Sequence, residues 1–100
     1  MSKIRKKMAP VHPGEVLMED FLKPLGITQY RLAKAVAVSQ RRIGEIVQGK
    51  RGVTADTALR LGPALGTSAE FWLNLQTRYD LDCSRDAQGP KSPQIEPLVA

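Results

Sequence analysis

The sequence predicts an all-α fold, a compact bundle of about five helices with a central helix-turn-helix. Three observations predict it. Apolar residues recur at helical spacing in five separate stretches. Thr28, Ser39, Thr54 and Ser68 each stand just before such a stretch, where a side-chain oxygen can cap orphan amides. The two central stretches lie close together in Thr28 to Arg51, TQYRLAKAVAVSQRRIGEIVQGKR, split by a short interruption. The 100 residues allow one domain with modest burial per residue. The expected layout is a basic flexible tail over 1–11, a helix-turn-helix domain over 12–82 and a flexible tail over 83–100.

The first tail carries Lys3, Arg5, Lys6 and Lys7 and little that could pack. It reads either as a solvated segment or as an arm that touches phosphates or a minor groove. The first helix opens at His12-Pro13-Gly14, because proline at the first helical position loses no hydrogen bond. Glu15 complements the helix dipole there, and His12 has a structural role at the helix start. Val16, Leu17, Met18, Phe21 and Leu22 form its apolar face. Pro24 disfavours helical geometry at Lys23, so the helix should fail near that point, with Gly26 beyond it.

The second helix spans about Gln29 to Val36, its apolar positions being Tyr30, Leu32, Ala33 and Val36. The third spans about Gln40 to Val47, with Ile43, Ile46 and Val47. Gly49 suits a left-handed position just after its end. The fourth follows Thr54, with Asp56 in its first turn and Ala58, Leu59, Leu61 and Leu65 as the buried face. Gly62-Pro63 conflicts with a straight helix there, because Pro63 lacks an amide proton and crowds the carbonyl four residues earlier. The expectation is a kink, or an end near Leu61 and a fresh turn to Gly66. The fifth follows Ser68 and carries Phe71, Trp72, Leu75 and Tyr79 on one broad side. These four either complete the core against the first helix or form a subunit interface, where aromatics are enriched. From Asp82 the pattern ends, and Gly89, Pro90, Pro93 and Pro97 indicate an extended tail.

Charge separates the chain into two halves. Residues 1–52 hold 11 of the 15 Lys/Arg and 4 of the 10 Asp/Glu, so the half with the two central helices is strongly basic. That suits a polyanionic partner. Gln40, Arg41 and Arg42 occupy the first turn of the third helix, and Glu45 lies one turn on along a similar face. This is how a helix-turn-helix presents base-reading side chains to a major groove. Arg41 and Arg42 suit guanine, Gln40 adenine, and Glu45 could accept from cytosine. Lys50 and Arg51, in the loop beside this helix, are placed for backbone phosphates.

Other classes are disfavoured. No converging carboxylates, nucleophile with a base, metal cluster or glycine-rich phosphate loop occurs, so neither an enzyme nor a cofactor is expected. Cys83 is the single cysteine and His12 the single histidine, which excludes an internal disulfide and a Cys/His zinc cluster. No apolar run is long enough for a membrane span, and Pro10, His12, Pro13 and Gly14 interrupt any signal-peptide core after the basic start. A cytoplasmic protein is expected.

The segments HPGEVL, TQYRLAKAVAVSQRRIGEIVQGKRGVTADTALRL and ALGTSAEFWLNLQTRYDL resemble HigA-type antitoxins, also described as VapI-like. These belong to the XRE, or Cro/C1-type, helix-turn-helix class with a lambda-repressor-like fold. The resemblance covers about His12 to Leu81. It implies a five-helix homodimer that binds a pseudo-palindromic operator and represses its own operon. It also implies a toxin partner, a HigB/RelE-like ribonuclease that cleaves messenger RNA on ribosomes. By the same resemblance Gln29, Ser39 and Lys50 fall at phosphate-contacting positions, Gln40, Arg41, Arg42 and Glu45 at exposed recognition positions, and Ile43 and Ile46 at buried ones. The alternative is a stand-alone XRE-family repressor without a toxin. Two positions depart from the family pattern. Ala37 stands where the interhelical turn usually has glycine, which costs roughly 1 kcal/mol if that position needs positive φ. Gly62-Pro63 stands where ordinary helix formers are usual.

Overall fold

A computed structural model of the chain describes residues 9–89 and 93–99. The expectations for residues 1–8, 90–92 and 100 fall outside them. Among the described residues there are helices and no strands: α1 (Pro13–Val16), a π-helical segment (Leu17–Leu22), α2 (Lys23–Leu25), α3 (Gln29–Val36), α4 (Gln40–Val47), α5 (Ala55–Leu65) and α6 (Ala69–Gln88). The first three run on as a single rod, so the bundle has five helical units, as the periodicity predicts.

Every expected cap forms. The side chains of Thr28, Ser39, Thr54 and Ser68 accept from the amides of Arg31, Arg42, Thr57 and Phe71. His12 caps α1, its Nδ1 accepting from the Gly14 amide at 2.8 Å. Each bond satisfies one of the amides that a helix start leaves unpaired.

Three elements differ from expectation. The first rod passes Pro24 and ends at Gly26, in the left-handed region, instead of failing at Lys23. The π-helical segment is the reason: the Lys23 amide reaches back to the Met18 carbonyl, five residues earlier. That wide turn opens the backbone just where the proline ring would crowd the carbonyl of Asp20. The fourth unit, α5, continues through Pro63 to Leu65. Pro63 lies in the last turn and removes only the bond to the Leu59 carbonyl. Leu59, expected on the buried face, is instead 65% exposed, so water can reach that segment. The fifth unit, α6, extends to Gln88, so residues 83–88 are helical and not a flexible tail. Residues 93–99 have no regular structure and are exposed.

The core joins all five units: Leu17 and Leu22, Leu32, Ala33 and Val36, Ile43 and Ile46, Val53, Ala58 and Leu61, and Trp72. Trp72 was expected at a subunit interface if not in the core. It has 0% exposure, and its indole Nε1 donates to Thr67 Oγ1 at 2.8 Å. An indole with no free surface cannot contact a second subunit, so Trp72 leaves the interface set. Phe71, at 36%, stays accessible at its edge, while Leu75 and Tyr79 are half-buried. Tyr79 packs edge-on against His12, ring centroids 4.8 Å apart.

The HPGE opening acquires a physical meaning from α1–α4 packing. A Cβ on Gly14 would overlap the Ile46 carbonyl oxygen and lie 2.6 Å from its carbon. The start of α1 therefore rests directly on the backbone of α4, and only glycine permits that approach.

Candidate nucleic-acid interface

The geometry of the pair α3–α4 depends on the turn between them. Ala37 closes α3 at φ 58°, ψ 45°, and among the described residues it is the only non-glycine at positive φ. The conditional cost expected for alanine there therefore applies. Val38 follows, its amide bonded to the Ala33 carbonyl at 3.1 Å, and Ser39 starts α4. A side-chain clamp from α5 reinforces the turn. Arg60 donates from Nη1 to the Val36 carbonyl at 2.9 Å, and from Nε to both oxygens of Asp56. The clamp satisfies a carbonyl that the end of α3 would otherwise leave unpaired.

With Ile43 and Ile46 turned into the core, as expected, the opposite side of α4 faces outward. Gln29, Gln40, Arg41, Gly44, Glu45, Gln48 and Lys50 line one open groove there. Five of the eight side chains expected to meet nucleic acid are thus brought together: Gln29, Gln40, Arg41, Glu45 and Lys50. Gln48 was missed because it was read only as part of a helix terminus. Its position one turn after Gly44 and two turns after Arg41 was the available signal. Ser39 does not line the groove, and its Oγ accepts from the Arg42 amide at 3.1 Å.

Three of the charged groups in and beside the groove pair with one another. Arg41 donates from Nε to Glu45 Oε2 at 3.1 Å. Arg51 donates from Nε to Glu45 Oε1 at 2.9 Å, and its Nη2 lies 2.9 Å from the same oxygen. These two guanidinium groups, Arg51 first and Arg41 second, hold the Glu45 carboxyl below the usual carboxylate range. Two cations around one carboxylate, with Lys50 beside them, leave the groove positive, which attracts phosphate.

Arg42 is placed differently. Its Nη2 donates to Thr57 Oγ1 at 2.9 Å and lies 3.8 Å from Asp56, both on α5. Its Nε is buried without a hydrogen-bond partner. It does not line the groove. Sequence reasoning grouped it with Arg41 because the two are adjacent on α4. A further residue that it missed is Gln76 of α6, whose Oε1 accepts from the Val53 amide at 2.7 Å. That bond pins the loop between α4 and α5, on which Lys50 and Arg51 sit.

Among the described residues no group of His, Cys, Asp and Glu could hold a metal ion, and no helix is long and apolar enough to cross a membrane.

Comparison with known proteins agrees with this geometry. The helix-turn-helix family model matches residues 18–72. Virulence-associated protein I of Dichelobacter nodosus is 54% identical over 77 residues, which cover 77% of this chain and 71% of that one. Antitoxin HigA-1 of Vibrio cholerae is 39% identical over 95 residues, 94% of this chain and 89% of that one. The Pseudomonas aeruginosa antitoxin HigA, solved with the higBA promoter, superposes with a TM-score of 0.82 at 44% identity, covering 90% of this chain and 99% of that one. The outward groove on α4, the capped helix pair and these relatives together place this chain in the XRE-type helix-turn-helix family, among the HigA antitoxins.

Proposed function

We propose that this DNA-binding antitoxin binds operator DNA as a homodimer, represses its own operon and neutralises a HigB/RelE-like ribonuclease. The observation that carries the reading is the α4 groove, where Gln40 and Arg41 stand exposed between Gln29 and Lys50. In this reading α4 enters the major groove. Gln40 and Arg41 meet base edges, and Gln29, Ser39, Lys50 and Arg51 meet the sugar–phosphate backbone. A dimer would present two such helices to successive major grooves of a pseudo-palindrome, about 34–36 Å apart. Phe71 and the exposed parts of Leu75 and Tyr79 are what the expected interface set offers a second copy.

The antitoxin half of the reading follows from the relatives. A folded domain of this size could exclude the ribonuclease from the ribosome sterically or cover its active site. The first helical rod and the two ends of the chain are the candidate contact surfaces.

Two measurements test the proposal. Fluorescence anisotropy on DNA from upstream of the gene should show sequence-preferring binding that weakens steeply with salt, as phosphate contacts require. Co-expression with an adjacent toxin-like reading frame should give co-purification and growth rescue. Binding without rescue would leave a stand-alone repressor. Salt-insensitive or absent DNA binding would refute the operator reading itself.

A further inference from the structure

The two arginines that share Glu45 are not equally placed: Arg41 lines the groove and Arg51 does not. Arg41 gives its Nε to Glu45, which leaves its terminal Nη1/Nη2 edge, and its side chain is 86% exposed. Arg51 gives Nε and one Nη2 proton to Glu45, which also leaves a terminal edge, but on a half-exposed side chain in the loop after α4. Glu45 has one oxygen on each arginine, and its side chain is only 25% exposed. A carboxylate with a guanidinium on each oxygen and little exposed surface is poorly placed to accept from cytosine as well. A guanidinium that keeps Nη1 and Nη2 can still grip guanine O6 and N7 together. Arg51 lies in the loop and does not line the groove, so its free edge suits the backbone.

We propose that Glu45 reads no base and is instead a positioning residue. It holds the Arg41 terminal edge toward one guanine in each half-site and holds Arg51 toward the backbone. This rests on the operator-binding reading above. In water such exposed ion pairs contribute little to stability. Against DNA the pairs lose solvent, and their electrostatic hold on the guanidinium strengthens. Glu45 also places a negative charge beside the phosphates, so it lowers affinity for DNA of any sequence while raising discrimination.

The test is competition binding at fixed salt with full-length protein. The DNA is the natural operator and a panel carrying each single base-pair change, and the variants are Arg41→Ala, Glu45→Ala and the isosteric Glu45→Gln. For the wild type, the guanine position read by Arg41 should discriminate by about 5- to 150-fold. Arg41→Ala should abolish preference there. Both Glu45 variants should reduce preference at that same position several-fold while binding non-specific DNA more tightly. Melting curves should stay near wild type, and Glu45→Gln carries the test if Glu45→Ala unfolds. Altered preference at a position that Arg41→Ala leaves untouched would mean that Glu45 reads a base, and would overturn the proposal. Unchanged preference in both Glu45 variants would overturn it too. If the wild type itself shows no sequence preference, the operator reading fails first.

Discussion

Gly14→Ala adds one methyl group at the point where α1 meets the backbone of α4. The new Cβ would lie 2.6 Å from the Ile46 carbonyl carbon and 3.0 Å from Val47 Cα. Both atoms belong to a helix backbone, so no rotamer change can relieve the overlap. Overpacking costs about 1–3 kcal/mol where neighbours can adjust. A rigid partner puts this case near 3. Replacing glycine with alanine in a helix regains about 0.5–1 kcal/mol. The net loss is about 2 kcal/mol, a large share of the roughly 5–15 kcal/mol that stabilises a small domain. It should lower Tm by about 8–16 °C in circular dichroism melts. The urea midpoint should fall with an unchanged slope. Gly44→Ala is the matched control. Its Cβ would meet only Gln29 Oε1, at an ordinary 3.5 Å, so stability should rise by about 0.5–1 kcal/mol. A Gly14→Ala protein that melts with the wild type or above it would refute the close approach of α1 and α4.

Ala37→Gly should raise stability by about 0.5–1 kcal/mol, because relief of left-handed strain outweighs the added freedom of the unfolded chain; an unchanged or lower urea midpoint would contradict this. Arg42→Ala should lower stability by about 1–2 kcal/mol through the lost Thr57 bond and packing, while operator preference stays intact at every position; a relaxed base pair in a binding panel would restore Arg42 as a reader. His12 gives a pH signature. Burial lowers its pKa from 6.5, against an opposing pull from Asp80. The unfolded chain therefore binds the His12 proton more readily between the folded pKa and 6.5. Stability contributed by neutral His12 is complete above 6.5 and is lost as pH falls through that window. His12→Asn should flatten this part of a Tm-against-pH profile.

Much of the fold was legible because it is local. Caps, apolar spacing and the Gly49 stop act within a few residues, and they located α3 and α4 residue for residue. The misjudged places are those where a local penalty is absorbed elsewhere. Pro24 ends an ideal helix, but the π-helical turn lets this one pass. Pro63 is tolerated because it falls in a last turn with Leu59 exposed. The end of α6 was set too early because Cys83 to Gln88 carries helix-compatible residues without an apolar stripe. Periodicity reports burial, and an exposed helical turn has none to report. Trp72 shows the complementary limit, since spacing puts an aromatic on a face without saying which neighbour covers it.

The candidate site divides along the same line. Helical spacing correctly collected Gln40, Arg41 and Glu45 on an outward face. It could not separate Arg41 from Arg42, because the difference lies in α5, where Thr57 stands 15 residues from Arg42. The Arg41–Glu45 pair was accessible from its i,i+4 spacing. The Arg51–Glu45 pair was not, since it needs the chain to turn back at Gly49, where φ is 78°. Base-reading capacity depends on which guanidinium nitrogens remain after the protein's own acceptors are satisfied. Arg41 keeps a bidentate edge on the groove, Arg51 keeps one outside the groove, in the loop, and Arg42 is committed to α5. In the proposed reading, the fold turns three arginines that look alike in sequence into a reader, a backbone contact and a brace.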